Sequence, residues 1–125
     1  MAKVALIGIE PSAARQLVLA LNSGSHQIEQ KSDAGHVGDV LDFDIVFAGG
    51  EGKSYMPLLR RIRAASAALP FVVVTRFPET SDWLDALEAG ATDYCSAPFE
   101  AHQMDWLMQS ALPDRARAPQ RTAAA

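Results

Sequence analysis

The sequence predicts an α/β domain with a doubly wound sheet of five parallel strands, a (βα)5 arrangement. Short apolar runs alternate five times with segments of helical periodicity. The apolar runs are nearly continuous, which is typical of parallel strands covered by helices on both faces. Alternating units of this length return the chain to one sheet, and 125 residues fit a single domain.

The first half of the chain contains three predicted strand–helix units of unequal strength. The run KVALIGI favours a buried strand, and Pro11 after it suits the first turn of a helix. The second unit is weak, because its strand is short and its helix contains Gly35 and Gly38. The predicted strands are 3–9, 26–30 and 43–48, and the predicted helices are 11–21, 33–41 and 54–68.

The second half contains the strongest predicted strand, PFVVVT at 70–75, which is apolar and rich in β-branched residues. A helix at 80–89 ends at Gly90, and a short strand follows at 93–96. The last predicted helix, 99–112, has an inward stripe of Met104, Leu107, Met108 and Leu112. Ligands of such sheets bind beyond the carboxyl ends of the strands, here 8–10, 48–51, 75–77 and 96–98.

Composition and charge exclude several classes of protein. The net charge of -4 argues against a nucleic-acid-binding surface, and no apolar run approaches the length of a membrane span. One cysteine, Cys95, and a start without a signal-peptide pattern favour a reducing, cytoplasmic setting. Residues 113–125 carry three arginines and one aspartate without apolar periodicity, so we expect a folded domain at 1–112 and then a disordered tail or linker.

One segment resembles a known family. The stretch ALEAGATDY at 86–94, followed by Ala97-Pro98-Phe99, resembles the C-terminal signature of bacterial response-regulator receiver domains. PFVVVT resembles the fourth strand of that family, and FDIVFA the third. The likeness covers about residues 3 to 112. It implies the flavodoxin-like receiver fold and a role in two-component signal transduction and phosphorelay.

The resemblance also implies a chemistry that this chain lacks the residues to perform. Receivers transfer a phosphoryl group to an aspartate with Mg²⁺, which needs a carboxylate nucleophile and further oxygen ligands. The position matching the phosphoacceptor is Gly49, and the positions matching the acidic pair are Gly8 and Ile9. The position matching the family's lysine is Ala97. We therefore expect an atypical receiver with no bound metal and no cofactor.

Some polar residues of this region remain. The resemblance assigns switch positions to Thr75 and Tyr94. A one-residue shift of the alignment would bring Glu10 to the acidic site without restoring the nucleophile, and Glu51 lies two residues past the phosphoacceptor position. Arg76 follows Thr75, where the family has a small residue, and its guanidinium could pair with Glu51 or Glu10 across the pocket.

Large aromatic residues suggest where a partner docks. The family binds partners and dimerises through its fourth helix, fifth strand and fifth helix. Trp83, Tyr94 and Trp106 fall on these elements, and Trp106 does not fit the inward stripe. The implied partner is a protein or a second copy of the chain, with no direct nucleic-acid or membrane binding.

Three hypotheses follow. The first is a non-enzymatic interaction or dimerisation module that works without phosphorylation. The second is a phosphorelay receiver that still accepts phosphate at an unconventional acid, Glu51 or Glu10. The third is a small nucleotide or flavin binder that uses the loop from Gly49 to Ser54, although this loop departs from the P-loop pattern at Phe47.

Overall fold

Strands and helices alternate five times in the part of the chain that the structure describes, residues 2–21, 26–32, 36–50, 53–76 and 79–111. The structure is a computed structural model. The strands are β1 (Lys3–Ile7), β2 (Gln27–Lys31), β3 (Ile45–Gly49), β4 (Phe71–Thr75) and β5 (Asp93–Ser96). The helices are α1 (Pro11–Leu21), α2 (Val37–Val40), α3 (Met56–Ala65), α4 (Thr80–Glu88) and α5 (Ala101–Ala111).

The strands form one parallel sheet in the order β2-β1-β3-β4-β5. In this order the direction of winding reverses between β1 and β3, and such a reversal opens a crevice at the carboxyl ends of the strands. The pairing of Val4 with Ile45 and of Val46 with Phe71 brings the ends of β1, β3 and β4 to the same edge. The doubly wound fold predicted from the sequence is therefore confirmed.

Each face of the sheet has its own hydrophobic core, because side chains alternate along the strands. On one face Leu6 and Phe47 pack with Leu17 of α1 and Met104 of α5. On the other face the core contains strand residues and residues of α2, α3 and α4, including Val46, Val73, Leu59, Ile62 and Ala86. The stripe predicted on the last helix is buried at Met104, Leu107 and Met108.

Several boundaries differ from the sequence prediction. β1 ends at Ile7 because Gly8 has a left-handed backbone, with φ of +62°. The weak second helix is only four residues long in the described part, as expected from its glycines. α3 begins at Met56 rather than Ser54. The predicted tail, 113–125, lies outside the described residues, and no helix within them is long and apolar enough to cross a bilayer.

Arg63 connects the far edge of the sheet to α3. Its Nε donates to the Gly90 carbonyl oxygen at 2.8 Å, and its Nη1 donates to the Leu69 carbonyl oxygen at 2.8 Å and to that of Ser66 at 3.2 Å. Burial lowers the pKa of the guanidinium, which nevertheless stays charged. Arg63 thus joins two loops, the one between α3 and β4 and the one between α4 and β5, opposite the edge where the functional residues lie.

Candidate functional site

A cleft of about 190 Å³ lies at the carboxyl edge of the sheet, where the strand order reverses. Gly8, Ile9 and Glu10 line it from the end of β1, and Gly49 lines it from the end of β3. Thr75 and Arg76 line it from the end of β4, as the last residue of the strand and the one after it. The structure therefore brings together most of the pocket residues singled out in the sequence.

The floor of this cleft is closed by backbone. A Cβ atom placed on Gly49 would lie well inside 3.0 Å of the Gly8 carbonyl oxygen and 3.1 Å from the Gly8 carbonyl carbon. Gly50 is similarly enclosed, because a Cβ there would lie 2.7 Å from Cγ1 of Val73. The phosphoacceptor position thus lacks both the carboxylate and the space for any side chain on this backbone.

The carboxylate nearest to the cleft is held in place by several donors. One oxygen of Glu10, Oε2, accepts from the Ser12 hydroxyl at 2.6 Å and from the Ala13 backbone N–H at 3.2 Å. Arg76 Nη1 lies 3.1 Å from the same oxygen. These contacts, the Ser12 hydrogen bond first, lower the pKa of Glu10 from 4.5 to about 2. Glu10 therefore caps α1 and pairs with Arg76 across the cleft.

The remaining family positions lie around the same edge. Ala97 follows β5 and donates its backbone N–H to the Thr75 carbonyl oxygen at 2.9 Å. Thr75 is buried, and its hydroxyl is hydrogen-bonded to that of Tyr94. Glu51 lies outside the described residues. Among those described, no group of three or more histidine, cysteine, aspartate or glutamate side chains is arranged to hold a metal ion.

A lysine that the sequence did not single out connects the loop after β3 to α4. Lys53 Nζ lies 2.5 Å from Asp85 Oδ2 and 3.9 Å from Asp82 Oδ1. The hydrogen bond with Asp85 is the main cause of the raised pKa of Lys53. Lys53 also has a φ of 57°, which is unfavourable for a residue with a side chain. No local pattern predicts a pair separated by 32 positions.

A second, larger cleft of about 400 Å³ lies between α4 and α5, over β5. Trp83, Tyr94 and Trp106 all line it, together with Glu79 and Asp93. Trp83 is 43% exposed and Trp106 is 65% exposed, whereas tryptophan is usually well buried. The three aromatic residues named from the sequence thus lie around one open surface, which we call the aromatic cleft.

Sequence comparison relates the chain to transcriptional regulators. No family model matches the chain. The transcriptional regulatory protein PhoP of Escherichia coli is 28% identical over 77% of this chain and 45% of its own length. The virulence transcriptional regulatory protein PhoP of Shigella flexneri is 29% identical over the same shares. The chain therefore spans about half the length of the curated relatives it matches.

Comparison with solved structures shows which proteins share the fold of this chain. NtrX from Brucella abortus superposes with a TM-score of 0.79 at 18% identity, over 99% of this chain and 29% of its own. A CheY-like response regulator receiver domain protein from Methanospirillum hungatei superposes with a TM-score of 0.76 at 13% identity, over 94% of this chain and 98% of its own. Response-regulator receiver domains are among the structural neighbours of this chain, and its fold is the receiver fold.

Proposed function

We propose that this chain is an atypical, non-enzymatic receiver domain that acts without phosphorylation, by binding a protein partner through the face formed by α4, β5 and α5. The observation that carries the proposal is the closed contact between Gly49 and the Gly8 carbonyl group. A phosphoryl acceptor needs a carboxylate that projects into the cleft, and a chain without space for a Cβ cannot present one there.

The Glu10–Arg76 pair supports the same proposal. In a phosphorylated receiver an anion occupies this edge, whereas here the Glu10 carboxylate supplies the negative charge beside the Arg76 guanidinium. Three donors already surround Glu10 Oε2, so using that oxygen as a nucleophile or metal ligand would require breaking these contacts. The pair joins the loops after β1 and β4 directly.

We propose the face formed by α4, β5 and α5 because its aromatic side chains are exposed. Trp83 and Trp106 expose large aromatic surfaces beside Tyr94, and exposed aromatic residues around a concave surface are typical of interface anchors. Leu84 and Leu87 of α4 are also exposed. A face of this kind can bind a partner whether or not the neighbouring pocket still receives a phosphoryl group.

Mass spectrometry of the purified chain with Mg²⁺ and acetyl phosphate tests this function. We expect no phosphoryl adduct that hydroxylamine removes, both in the parent chain and in a Thr75→Ala control. A stoichiometric adduct that depends on Thr75 would overturn the proposal. Mapping that adduct to Glu51 or Glu10, with Glu10→Gln as the matched control, would identify a receiver that is phosphorylated at an unconventional acid.

A further inference from the structure

The segment that forms α4, β5 and α5 is acidic. Residues 79–111 contain seven aspartate and glutamate residues and no lysine or arginine. The whole chain has 15 acidic and 11 basic residues, so the remaining positions hold 15 - 7 = 8 acidic and 11 basic residues and carry a net charge of +3. The net negative charge of the protein therefore comes from this segment.

The aromatic cleft combines this charge with exposed π-surfaces. Glu79 and Asp93 line it together with Trp83, Tyr94 and Trp106, and the described lining residues include no lysine or arginine. Tryptophan and tyrosine faces attract cations through their quadrupoles, and arginine is the side chain most often found on them. A guanidinium can stack on an indole while it donates to a carboxylate.

A second copy of the chain would meet this face poorly. A symmetric dimer through α4, β5 and α5 would place two segments of the same negative charge against each other, because each face meets its own equivalent. Like charges across an interface oppose association. Lys53, which pairs with Asp82 and Asp85, offsets only part of this charge.

We propose that the aromatic cleft binds an arginine-bearing segment of a partner protein, with a guanidinium between Trp83 and Trp106 and within reach of Glu79 and Asp93. This inference rests on the proposed function and adds the chemistry of the partner to it. The side chains of the cleft come from both helices and from β5 between them. The bound segment would therefore span the two helices.

The test is an NMR titration of the full 125-residue chain, labelled with ¹⁵N, with an acetylated and amidated peptide Ala-Arg-Ala-Arg-Ala. The control peptide carries citrulline, a neutral analogue of arginine, at both arginine positions. We expect the indole N–H signals of Trp83 and Trp106 to shift with the arginine peptide, with at least roughly tenfold weaker binding of the citrulline peptide. Binding should also weaken between about 10 mM and about 1 M salt, as the Debye length falls from about 30 Å to about 3 Å.

Single substitutions locate the site. Glu79→Gln and Trp106→Leu should each weaken binding about fivefold or more, whereas Glu29→Gln, at an exposed position on β2, should leave it unchanged. Equal binding of the two peptides, or shifts confined to other surfaces, would overturn the inference. The phosphorylation assay does not use the peptide, so the two proposals can fail separately. If the chain takes no phosphate and also does not bind the peptide, the arginine-bearing partner is rejected and the proposed function still stands.

Two further outcomes would also overturn the inference by naming another occupant. If substitution of Arg115, Arg117 and Arg121 by alanine shifts the indole signals without added peptide, the chain's own C-terminal residues occupy the cleft. If sedimentation shows a dimer that Trp106→Leu dissociates, the occupant is a second copy. The expected result is a monomer in sedimentation, with indole signals that do not change when Arg115, Arg117 and Arg121 are replaced and that shift when the arginine peptide is added.

Discussion

The hydroxyl groups of Tyr94 and Thr75 are hydrogen-bonded to each other, and this contact joins the aromatic cleft to the smaller cleft at the carboxyl edge of the sheet. Burial raises the pKa of Tyr94, whereas hydrogen bonds with the Glu79 backbone and then with the Thr75 hydroxyl act in the opposite direction by stabilising the phenolate. Tyr94 lines the cleft and Thr75 lines the pocket.

The first prediction concerns this hydrogen bond. Tyr94→Phe should lower the free energy of unfolding by roughly 0.5–1.5 kcal/mol for each hydrogen bond lost, because the Tyr94 hydroxyl contacts the Glu79 backbone as well as the Thr75 hydroxyl. Tyr55→Phe is the matched control, because the Tyr55 hydroxyl is buried and makes no hydrogen bond to the described residues. We expect that control to be neutral or slightly stabilising in urea unfolding. Equal losses in the two variants would contradict the assigned contact.

The second prediction concerns Gly49. Gly49→Asp should destabilise the chain by roughly 1–3 kcal/mol or more, because its Cβ meets the Gly8 carbonyl group and the backbone must move. Gly49→Ala should produce most of the same loss, since the collision begins at Cβ. Gly38→Ala, where a Cβ meets nothing within 4 Å, is the control and should not destabilise the chain. A stable Gly49→Asp chain that takes phosphate from acetyl phosphate would refute the claim that position 49 has no space for a side chain.

The third prediction is the acid dependence of stability that Glu10 confers. Its pKa is lowered from 4.5 to about 2, so the stabilisation is complete above pH 4.5 and is lost as the pH falls towards 2. Glu10→Gln should remove this part of the dependence from urea midpoints measured between these two pH values. Arg76→Gln should keep most of it, because the contacts with Ser12 are stronger causes of the shift than Arg76. If the urea midpoint of the parent chain does not change between these two pH values, the lowered pKa assigned to Glu10 is wrong.

The fourth prediction separates Arg63 from its neighbours on α3. Arg63→Met should cost roughly 1.5–3 kcal/mol of unfolding free energy, because three partly buried carbonyl oxygens in two loops lose a charged donor. Arg63→Lys should also destabilise the chain, since an ammonium group cannot reproduce the planar set of donors. Arg60→Met, at an exposed position, should stay within about 0.5 kcal/mol of the parent.

The fifth prediction is that Cys95 is unreactive in the folded chain. Burial, and secondarily the charge of Asp93, raises the pKa of its thiol from 9.0 to about 12. The protonated thiol is favoured in the folded state, so its contribution to stability is complete below pH 9 and is lost as the pH rises towards 12. A thiol reagent at pH 8 should label Cys95 only after urea unfolds the chain. Rapid labelling of the folded chain would show an accessible thiolate instead.

The fold could be predicted from the sequence because its signals are local. The apolar run of β4 and the Gly90 stop after α4 lie within about one residue of the observed boundaries. Phe43 and Asp44 were included in the third strand, but β3 begins only at Ile45, and the Asp44 carboxylate accepts a hydrogen bond from the Lys3 backbone N–H. Composition could not reveal that contact, because it joins residues 41 positions apart.

The site could be predicted only in part. Loss of the carboxylate is visible at Gly49 in the sequence, but the close approach of the Gly8 carbonyl depends on the register of β1 and β3. Arg63 looks like its exposed neighbour Arg60 in the sequence, and its contacts with the Gly90 and Leu69 carbonyl oxygens depend on the folded chain. The sequence leaves Glu51 and Glu10 open as partners of Arg76, and the pairing with Glu10 depends on the folded loops, while Glu51 lies outside the described residues.

The anchoring of α4 gives the helix a mechanical asymmetry. Gly90, two residues after the end of α4, accepts a hydrogen bond from Arg63 on the side of the sheet opposite the functional residues. Lys53 contacts α4 itself through exposed ion pairs, which salt screens. The first turn of α4 is therefore held by contacts that salt weakens, and the aromatic cleft borders this end of the helix. An occupant of the cleft would contact the end of α4 that is less firmly held.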